Sequence, residues 1–263
     1  VHNCTFFSYI IINMDKFNEA IKLIKNAKCL VIFTGAGISV DSGIPPFTGK
    51  GGLWTQYDPK FIEINYFYDH PLESWKEIKK IFYDFMLDSC QPNLSHKTIG
   101  VWSQQGIVKA VITQNIDNLH QAGGAKYVLE FHGTTKTLTC TSCQKKYDAS
   151  KVSLDTLPPK CSCGGILKPD FVFYGEGINP NVLNASEKAI MKADVILIIG
   201  TSGQVMPACQ LPMLAKYQNK NVKIIEVNPT QSSFTNSITD LYFPMSGVKW
   251  FEEINKHWTP YKV

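Results

Sequence analysis

Four stretches of the chain are apolar almost without a break: Cys29 to Phe33, Ile107 to Thr113, Val195 to Ile199 and Val222 to Val227. Such runs, bounded by turn residues, predict strands covered on both faces, as in a parallel sheet. Val128 to Phe131 predicts another, ending in His132-Gly133. Helical patterns lie between them. Phe17, Ala20, Ile21, Leu23 and Ile24 recur at helical spacing within Met14 to Ala27, with that face leaned on the first strand. Ala185 to Ala193 predicts a helix, and Trp250 to Trp258 a closing amphipathic one. Lys60 to Asn93 is crowded with aromatic residues and reads as a packed helical segment. Gly49-Lys50-Gly51-Gly52 is a flexible break. The pattern predicts an α/β fold, a Rossmann-like parallel sheet with helices on both faces. No run approaches the roughly 18 apolar residues of a membrane helix.

At 263 residues the chain has room for one large α/β domain with an insert. Charged residues make up 18% and hydrophobic ones 44%, as in an ordinary soluble globular protein. The formal charge of +4 is too small to call for nucleic acid. Cys29 and Cys209 sit among apolar residues and read as buried and reduced. A reducing compartment, cytoplasm or nucleus, is therefore expected, rather than secretion.

Four of the eight cysteines form two close pairs, Cys140-x-x-Cys143 and Cys161-x-Cys163. Four thiolates at this spacing predict a closed tetrahedral structural zinc site, with disulfide pairing as the alternative. The second pair is one residue shorter than a usual knuckle, which is expected to strain it. Residues 136–167 carry few large apolar groups, so the metal is expected to supply much of their folding free energy.

Three further stretches carry chemistry. After Phe33 comes Thr34-Gly35-Ala36-Gly37-Ile38-Ser39. Glycines there allow a tight turn and close approach of a ligand, and at a strand-to-helix turn such a loop cradles a pyrophosphate. Val40 occupies the third glycine position of that fingerprint, so the loop alone fits an ordinary turn equally well. The second strand ends in Gln114-Asn115-Ile116-Asp117, outside a strand's carboxyl end, where ligands of open α/β sheets sit. A turn or cap also fits this stretch. His132, at a strand end before Gly133, can take a proton near neutrality, although a lone histidine is more often structural.

Together, GAGIS followed by SGIP and Phe47, TQNIDNLH from Thr113, Phe131-His132-Gly133, the cysteines and Lys168-Pro169-Asp170 through Gly175-Glu176 resemble the sirtuins. These are NAD-dependent protein deacylases. Gly200-Thr201-Ser202 and Val227-Asn228 complete the set, in order, across residues 14 to 258. The resemblance implies an NAD-binding domain from residues 14–50, 100–135 and 171–258, a helical module at 51–99 and a zinc-ribbon module at 136–170. Residues 1–13 fall outside it; they lack a basic n-region and a small-residue cleavage site, and read as an extension, disordered or packed locally.

The resemblance also implies two cofactors, NAD and one structural zinc held by Cys140, Cys143, Cys161 and Cys163. It places Gly35, Ala36, Gly37, Ser39, Ile44 and Phe47 in the first NAD loop, with Phe47 shielding the anomeric carbon from water. Gln114 would bond the nicotinamide ribose, and Asn115, Ile116 and Asp117 would surround the nicotinamide. Gly200, Thr201 and Ser202 would hold phosphates, Asn228 the adenosine ribose, and Ser246 lies near adenine. His132 would be the general base, with Asn115 as a second catalytic residue. Val172, Phe173, Gly175 and Glu176 would form the edge with which an extended peptide pairs, Val172 and Phe173 walling the acyl-lysine tunnel. The implied partner is an acylated-lysine protein or peptide, histones among the candidates, with no sequence-specific nucleic acid and no membrane. The implied reaction releases nicotinamide, free lysine and O-acyl-ADP-ribose.

Besides the shortened cysteine pair, two places depart from the family pattern. Pro46-Phe47-Thr48 stands where Asp-Phe-Arg is usual; Thr48 cannot replace a guanidinium, and Pro46 removes a donor. Gly203 replaces a common Leu and is expected to loosen packing under the phosphates. Ile78 and Ile81 stand where succinyl- and malonyl-removing members carry Tyr and Arg, so acetyl or longer apolar acyl groups are expected. Two other functions fit the same residues. One is mono-ADP-ribosyl transfer from the same NAD site. The other is a weakly active NAD/zinc interaction module, which Pro46 and Thr48 would favour.

Overall fold

The computed structural model describes residues 2–49, 51–85 and 90–258, with residues 2–13 as backbone alone. Lys50 of the glycine-rich break and residues 86–89 of the expected helical module lie outside the described residues. The first helix, α1 (His2–Asn26), runs straight through the stretch that reads as an extension in the sequence.

The strands are β1 (Leu30–Thr34), β2 (Val108–Thr113), β3 (Val128–Glu130), β4 (Gly133–Cys140), β5 (Lys146–Asp148), β6 (Leu167–Phe171), β7 (Val195–Ile199), β8 (Lys223–Val227) and β9 (Leu241–Phe243). Six of them make one sheet in the order β3-β2-β1-β7-β8-β9, and every neighbouring pair is parallel. This is the doubly wound order of a dinucleotide-binding fold. Of these six, β9 alone is not among the strands expected from the sequence.

Both faces of the sheet are covered, which is why the apolar runs are unbroken. Leu30 and Ile32 of β1 pack with Phe17, Ile21 and Ile24 of α1 and with Trp102, Trp250 and Phe251. Trp102 comes from the helix Leu94–Gln104, and the other two from the closing helix Gly247–His257. Val31 and Phe33 point the other way, to Ile190 of the helix Pro180–Lys192 and Leu211 of the helix Gln210–Gln218. One strand thus feeds two cores through its period of two.

The remaining strands form a small antiparallel sheet, β5-β4-β6. It does not stand on the metal alone. Leu138, Leu167 and Phe171 share a core with Phe61, Phe67, Trp75 and Phe82 of the helical segment. Trp75 Nε1 donates to the Leu167 carbonyl at 2.8 Å, and Tyr83 Oη to the Thr135 carbonyl at 3.1 Å. The ribbon and the helical module are therefore one packed unit, with the helices supplying the large side chains that the ribbon lacks.

The four cysteine sulfurs all lie within 4.8 Å of one another. Cys140 and Cys163 approach to 3.5 Å, as do Cys143 and Cys161, and none of the four is disulfide-bonded. A tetrahedral zinc with bonds of about 2.3 Å sets its sulfurs roughly 3.8 Å apart. The set fits that ion, and the shortened Cys161-x-Cys163 knuckle still delivers both sulfurs to it.

In the helix Leu94–Gln104, a Cβ at Gly100 would lie 1.9 Å from the Gly123 carbonyl oxygen. Alanine would gain about 1 kcal/mol of helix propensity, yet backbone cannot yield as a flexible side chain does. Gly100→Ala should therefore lose roughly 1–3 kcal/mol of stability in a denaturant titration; a variant as stable as the parent would contradict this contact. Removing the metal with a strong chelator should release one zinc per chain and lower the melting temperature, as β4 and β6 lose their distal tie. Zinc analysis alongside a thermal melt checks this, and unchanged melting of zinc-free protein would show that the shared core suffices.

Candidate active site

β1 lies between β2 and β7, so the connections leave it in opposite directions and open a crevice at the strands' carboxyl ends. A cavity of about 700 Å³ occupies that place. Its floor is a backbone contact. Gly35 N donates to the Ile199 carbonyl at 3.1 Å, and Gly37 N to the Gly200 carbonyl at 2.8 Å. A Cβ at Gly37 would come within 2.6 Å of Gly200 Cα, and one at Gly35 within 2.8 Å of Gly200 O. The glycines are required by the neighbouring strand end as much as by a ligand. The chain then enters a 3-10 helix, Ala36–Ser42, so the loop is a tight turn locked to β7 and not the start of a long α-helix.

Of the residues placed at the dinucleotide by resemblance, Gly35, Ala36, Gly37, Phe47, Gln114, Asn115, Ile116, Gly200, Thr201, Ser202, Asn228 and Ser246 line this one cavity. Ser39, Ile44 and Asp117 do not; all three are buried behind its wall. There Ser39 and Asp117 hold Asn115. Ser39 Oγ donates to Asp117 Oδ2 at 2.6 Å, and Asn115 Nδ2 reaches Ser39 Oγ at 3.1 Å and Asp117 Oδ2 at 3.3 Å. Leu119 N occupies Asp117 Oδ1 at 3.0 Å. Burial pushes the Asp117 carboxyl up, and the bonds from Ser39, Leu119 and Asn115 pull it back. The far atom of the amide, Asn115 Oδ1, is buried with no partner among the described residues. An unsatisfied buried acceptor in a cavity wall suits a ligand N–H or O–H.

Gln114 Nε2 donates to Thr201 Oγ1 at 3.1 Å, and Gly203 N does so at 3.2 Å, which leaves the Thr201 hydroxyl proton to donate elsewhere. Gly203 does not loosen this region. It adopts a left-handed conformation, φ 68°, and a Cβ there would meet Ser233 Oγ at 2.3 Å. Ser233 Oγ instead donates to the Gly203 carbonyl at 2.6 Å, so Ser233 and Phe234 fill the space of the expected leucine. Asn228 Nδ2 donates to the Thr230 carbonyl at 2.8 Å, and Ser246 caps the closing helix.

His132 Nδ1 lies 3.1 Å from the Gln114 carbonyl oxygen. A carbonyl can only accept, so Nδ1 carries the hydrogen and Nε2 is left as the basic atom. Burial lowers the imidazole below its ordinary value, against the smaller opposing effect of that hydrogen bond. His132 is thus a neutral base at neutral pH. His96 and His120 are also buried and held low, His96 at about 4, but they sit behind the wall; His96 closes a capping box with Asn93.

Phe47 packs on Trp54 with ring centres 5.4 Å apart, and the loop closes on itself through Leu53 N to Pro46 O at 2.8 Å. Pro46, Phe47 and Thr48 all line the cavity. Among the described residues no lysine lines it, and the chain's 26 basic residues include no arginine at all. Ile78 and Ile81 do not reach it; both are buried in the shared core. The helix widens to π geometry over Lys79–Phe85, and Phe82 is the residue it turns inward. No sequence period announces that shift. Trp54, Tyr174 and Met206 also line the cavity without a distinguishing signal, whereas Thr230 and Gln231 follow Asn228 at a strand end and were within reach of the same rule.

Val172, Phe173, Gly175 and Glu176 line the opposite side. Most of their N–H groups are already engaged: Val172 N with the His132 carbonyl, Phe173 N with the Glu176 carboxylate, Glu176 N with the Phe173 carbonyl. A peptide added at this edge would therefore meet carbonyl acceptors and Gly175.

A model of the Sir2 family matches residues 35–207. A protein named NAD-dependent protein deacetylase 1 from Pyrobaculum aerophilum is 40% identical over 84% of this chain and 87% of its own length. The NAD-dependent protein deacylase of Aeropyrum pernix is 36% identical over 92% of this chain and 98% of its own. A solved structure of Sir2 with p53 peptide and NAD+ superposes with a TM-score of 0.83 at 32% identity, covering 91% of this chain and 97% of that one. With these matches across nearly all of its elements, the chain belongs to the Sir2 family, the sirtuins.

Proposed function

We propose that the protein is an NAD-dependent protein-lysine deacylase that releases nicotinamide and O-acyl-ADP-ribose. One observation carries the reading: a neutral His132 with Nε2 free and Asn115 with an orphaned carbonyl oxygen stand in one cavity at the switch point of the sheet. The deacetylase and deacylase relatives support it. NAD is consumed as a substrate, and supplies the ribose carbon to which the acyl oxygen is transferred.

The residues divide the work. Asn115 Oδ1 accepts from the nicotinamide end, held in place by Ser39 and Asp117. The free proton of Thr201 and the backbone around Gly200 meet the phosphates. Asn228, Thr230 and Ser246 take the adenosine end. Phe47 and Trp54 exclude water, which would otherwise hydrolyse the dinucleotide. His132 Nε2 takes the proton from the ribose hydroxyl that attacks the acyl group, a transfer suited to a base that stays neutral at working pH.

The acylated lysine enters beside Val172 and Phe173 between apolar walls that include Ile62 and Phe82. With no lysine or arginine among the described residues of the lining, an acyl chain ending in a carboxylate finds no cation there, which favours acetyl or longer apolar groups. Histones are among the candidate substrates.

An acetyl-lysine peptide incubated with NAD+ should yield nicotinamide and O-acetyl-ADP-ribose in equal amounts, and His132→Ala should lower the rate by at least about 10²-fold. Nicotinamide without the acylated product would show that Thr48 leaves the pocket open to water; neither product would refute the reading. The pH dependence comes from the base. His132 must be neutral, and its pKa lies below the ordinary 6.5, so kcat/KM should fall only as pH drops through a midpoint under 6.5. An acid limb centred above 6.5 would mean that another group, or a His132 not held by Gln114, controls the reaction.

A further inference from the structure

Lys168 and Glu176 are 12% and 28% exposed at their side chains, and they meet at 2.9 Å beside the cavity. Lys168 Nζ has four neighbours. It bonds Glu176 Oε2, donates to the Pro169 carbonyl at 3.0 Å and to the Phe171 carbonyl at 3.1 Å, and stands 3.9 Å over the Phe173 ring. Glu176 Oε2 in turn accepts from Phe173 N at 2.8 Å. The pair closes a loop on the chain: its two residues bracket Phe171 to Gly175, the stretch that lines the peptide side of the cavity. Lys168 does not line the cavity, and Glu176 lines it on the side of Val172 and Phe173. Burial lowers the Lys168 pKa, and Glu176, with a smaller contribution from Asp170, opposes that shift.

We infer that Lys168 and Glu176 act as a half-buried clasp that positions the turn Phe171–Gly175 for the acylated peptide, setting affinity for the peptide and not for NAD. Both are positioning residues, and the inference rests on the deacylase reading. The clasp fixes which way the turn's groups point. Lys168 fills one acceptor site of the Phe171 carbonyl and Glu176 takes the Phe173 N–H, so that N–H does not pair with a peptide. The opposite side of the turn is anchored separately, with Tyr174 N on the Ile62 carbonyl and Ile64 N on the Tyr174 carbonyl. Without the cation, Glu176 would be left unpaired and would turn to water, releasing Phe173 N.

The test uses the zinc-loaded full chain, an acetyl-lysine peptide and NAD+, each titrated separately by calorimetry. Lys168→Met keeps much of the stem and removes the charge. It should raise the peptide Kd by about tenfold, while the NAD+ Kd changes by less than about twofold. Glu176→Gln should also weaken peptide binding, and the double variant should be no weaker than Lys168→Met alone, because the two act as a unit. An unchanged peptide Kd in folded Lys168→Met would overturn the clasp, as would additive losses in the double variant or an equal loss of NAD+ affinity. If Lys168→Met does not fold, Glu176→Gln carries the test, and an unchanged peptide Kd there overturns the inference. Failure of the parent protein to bind the peptide would instead overturn the deacylase reading and the clasp with it.

Discussion

The contact of the loop after β1 with the end of β7 is the constraint on which the site depends. Two backbones approach so closely at Gly35, Gly37 and Gly200 that no side chain fits between them. Because the loop is bonded to the end of β7 through Gly35 N and Gly37 N, it cannot drift, and the 3-10 turn beyond it carries Ser39 inward to a fixed place under Asn115. Ser39 then sets Asn115, and Asp117 sets both. The polar wall is thus preorganised by a contact made within the protein itself, which is the arrangement a reaction dependent on positioning requires.

The large elements were legible because their physics is local. Strands buried on both faces must be apolar throughout, and β1, β2, β7 and β8 say so in their own residues. The cysteine spacing and the polar strand ends were equally plain. What stayed hidden depends on contacts between distant segments. Gly203 looks like a hole until Ser233 and Phe234, about thirty residues on, are seen to occupy it. Ile78 and Ile81 have the right spacing for a pocket, but a π-helical turn hands that position to Phe82. Asp117 is bonded by its neighbours Asn115 and Leu119 and also by Ser39, which lies 78 residues earlier in the chain. In each case the residue type was right for the place, and the partner was not visible from the residue's own neighbourhood.

The absence of arginine changes how an anion can be met. Arginine offers a rigid fork for phosphate, and a lysine can offer a point charge, but neither lines the cavity among the described residues. The donors that remain are hydroxyls and backbone amides, whose strength depends on being held in direction and kept from water. Thr201 is so held, with two protein donors fixing its oxygen and its proton left over. Such a site gains nothing from charge at long range, and depends on the rigidity of the β1–β7 contact more than a cationic site would.

The zinc ribbon enters the same logic through two strands. β4 begins at the residue after His132 and ends at Cys140, while β6 begins four residues after Cys163 and ends at the residue before Val172. Their pairing brings Val172 N onto the His132 carbonyl, so His132, the proposed general base, and Val172, of the proposed peptide edge, are joined by one hydrogen bond at the near end of this sheet. The metal ties its far end. A zinc with no open coordination position can therefore govern a reaction it does not touch, because moving His132 relative to Val172 requires β4 to slip on β6. Trp75 and Tyr83, bonded to the carbonyls of Leu167 and Thr135, resist that slip from the side. The helical module and the metal thus hold the same register from two directions, and the site inherits its geometry from both.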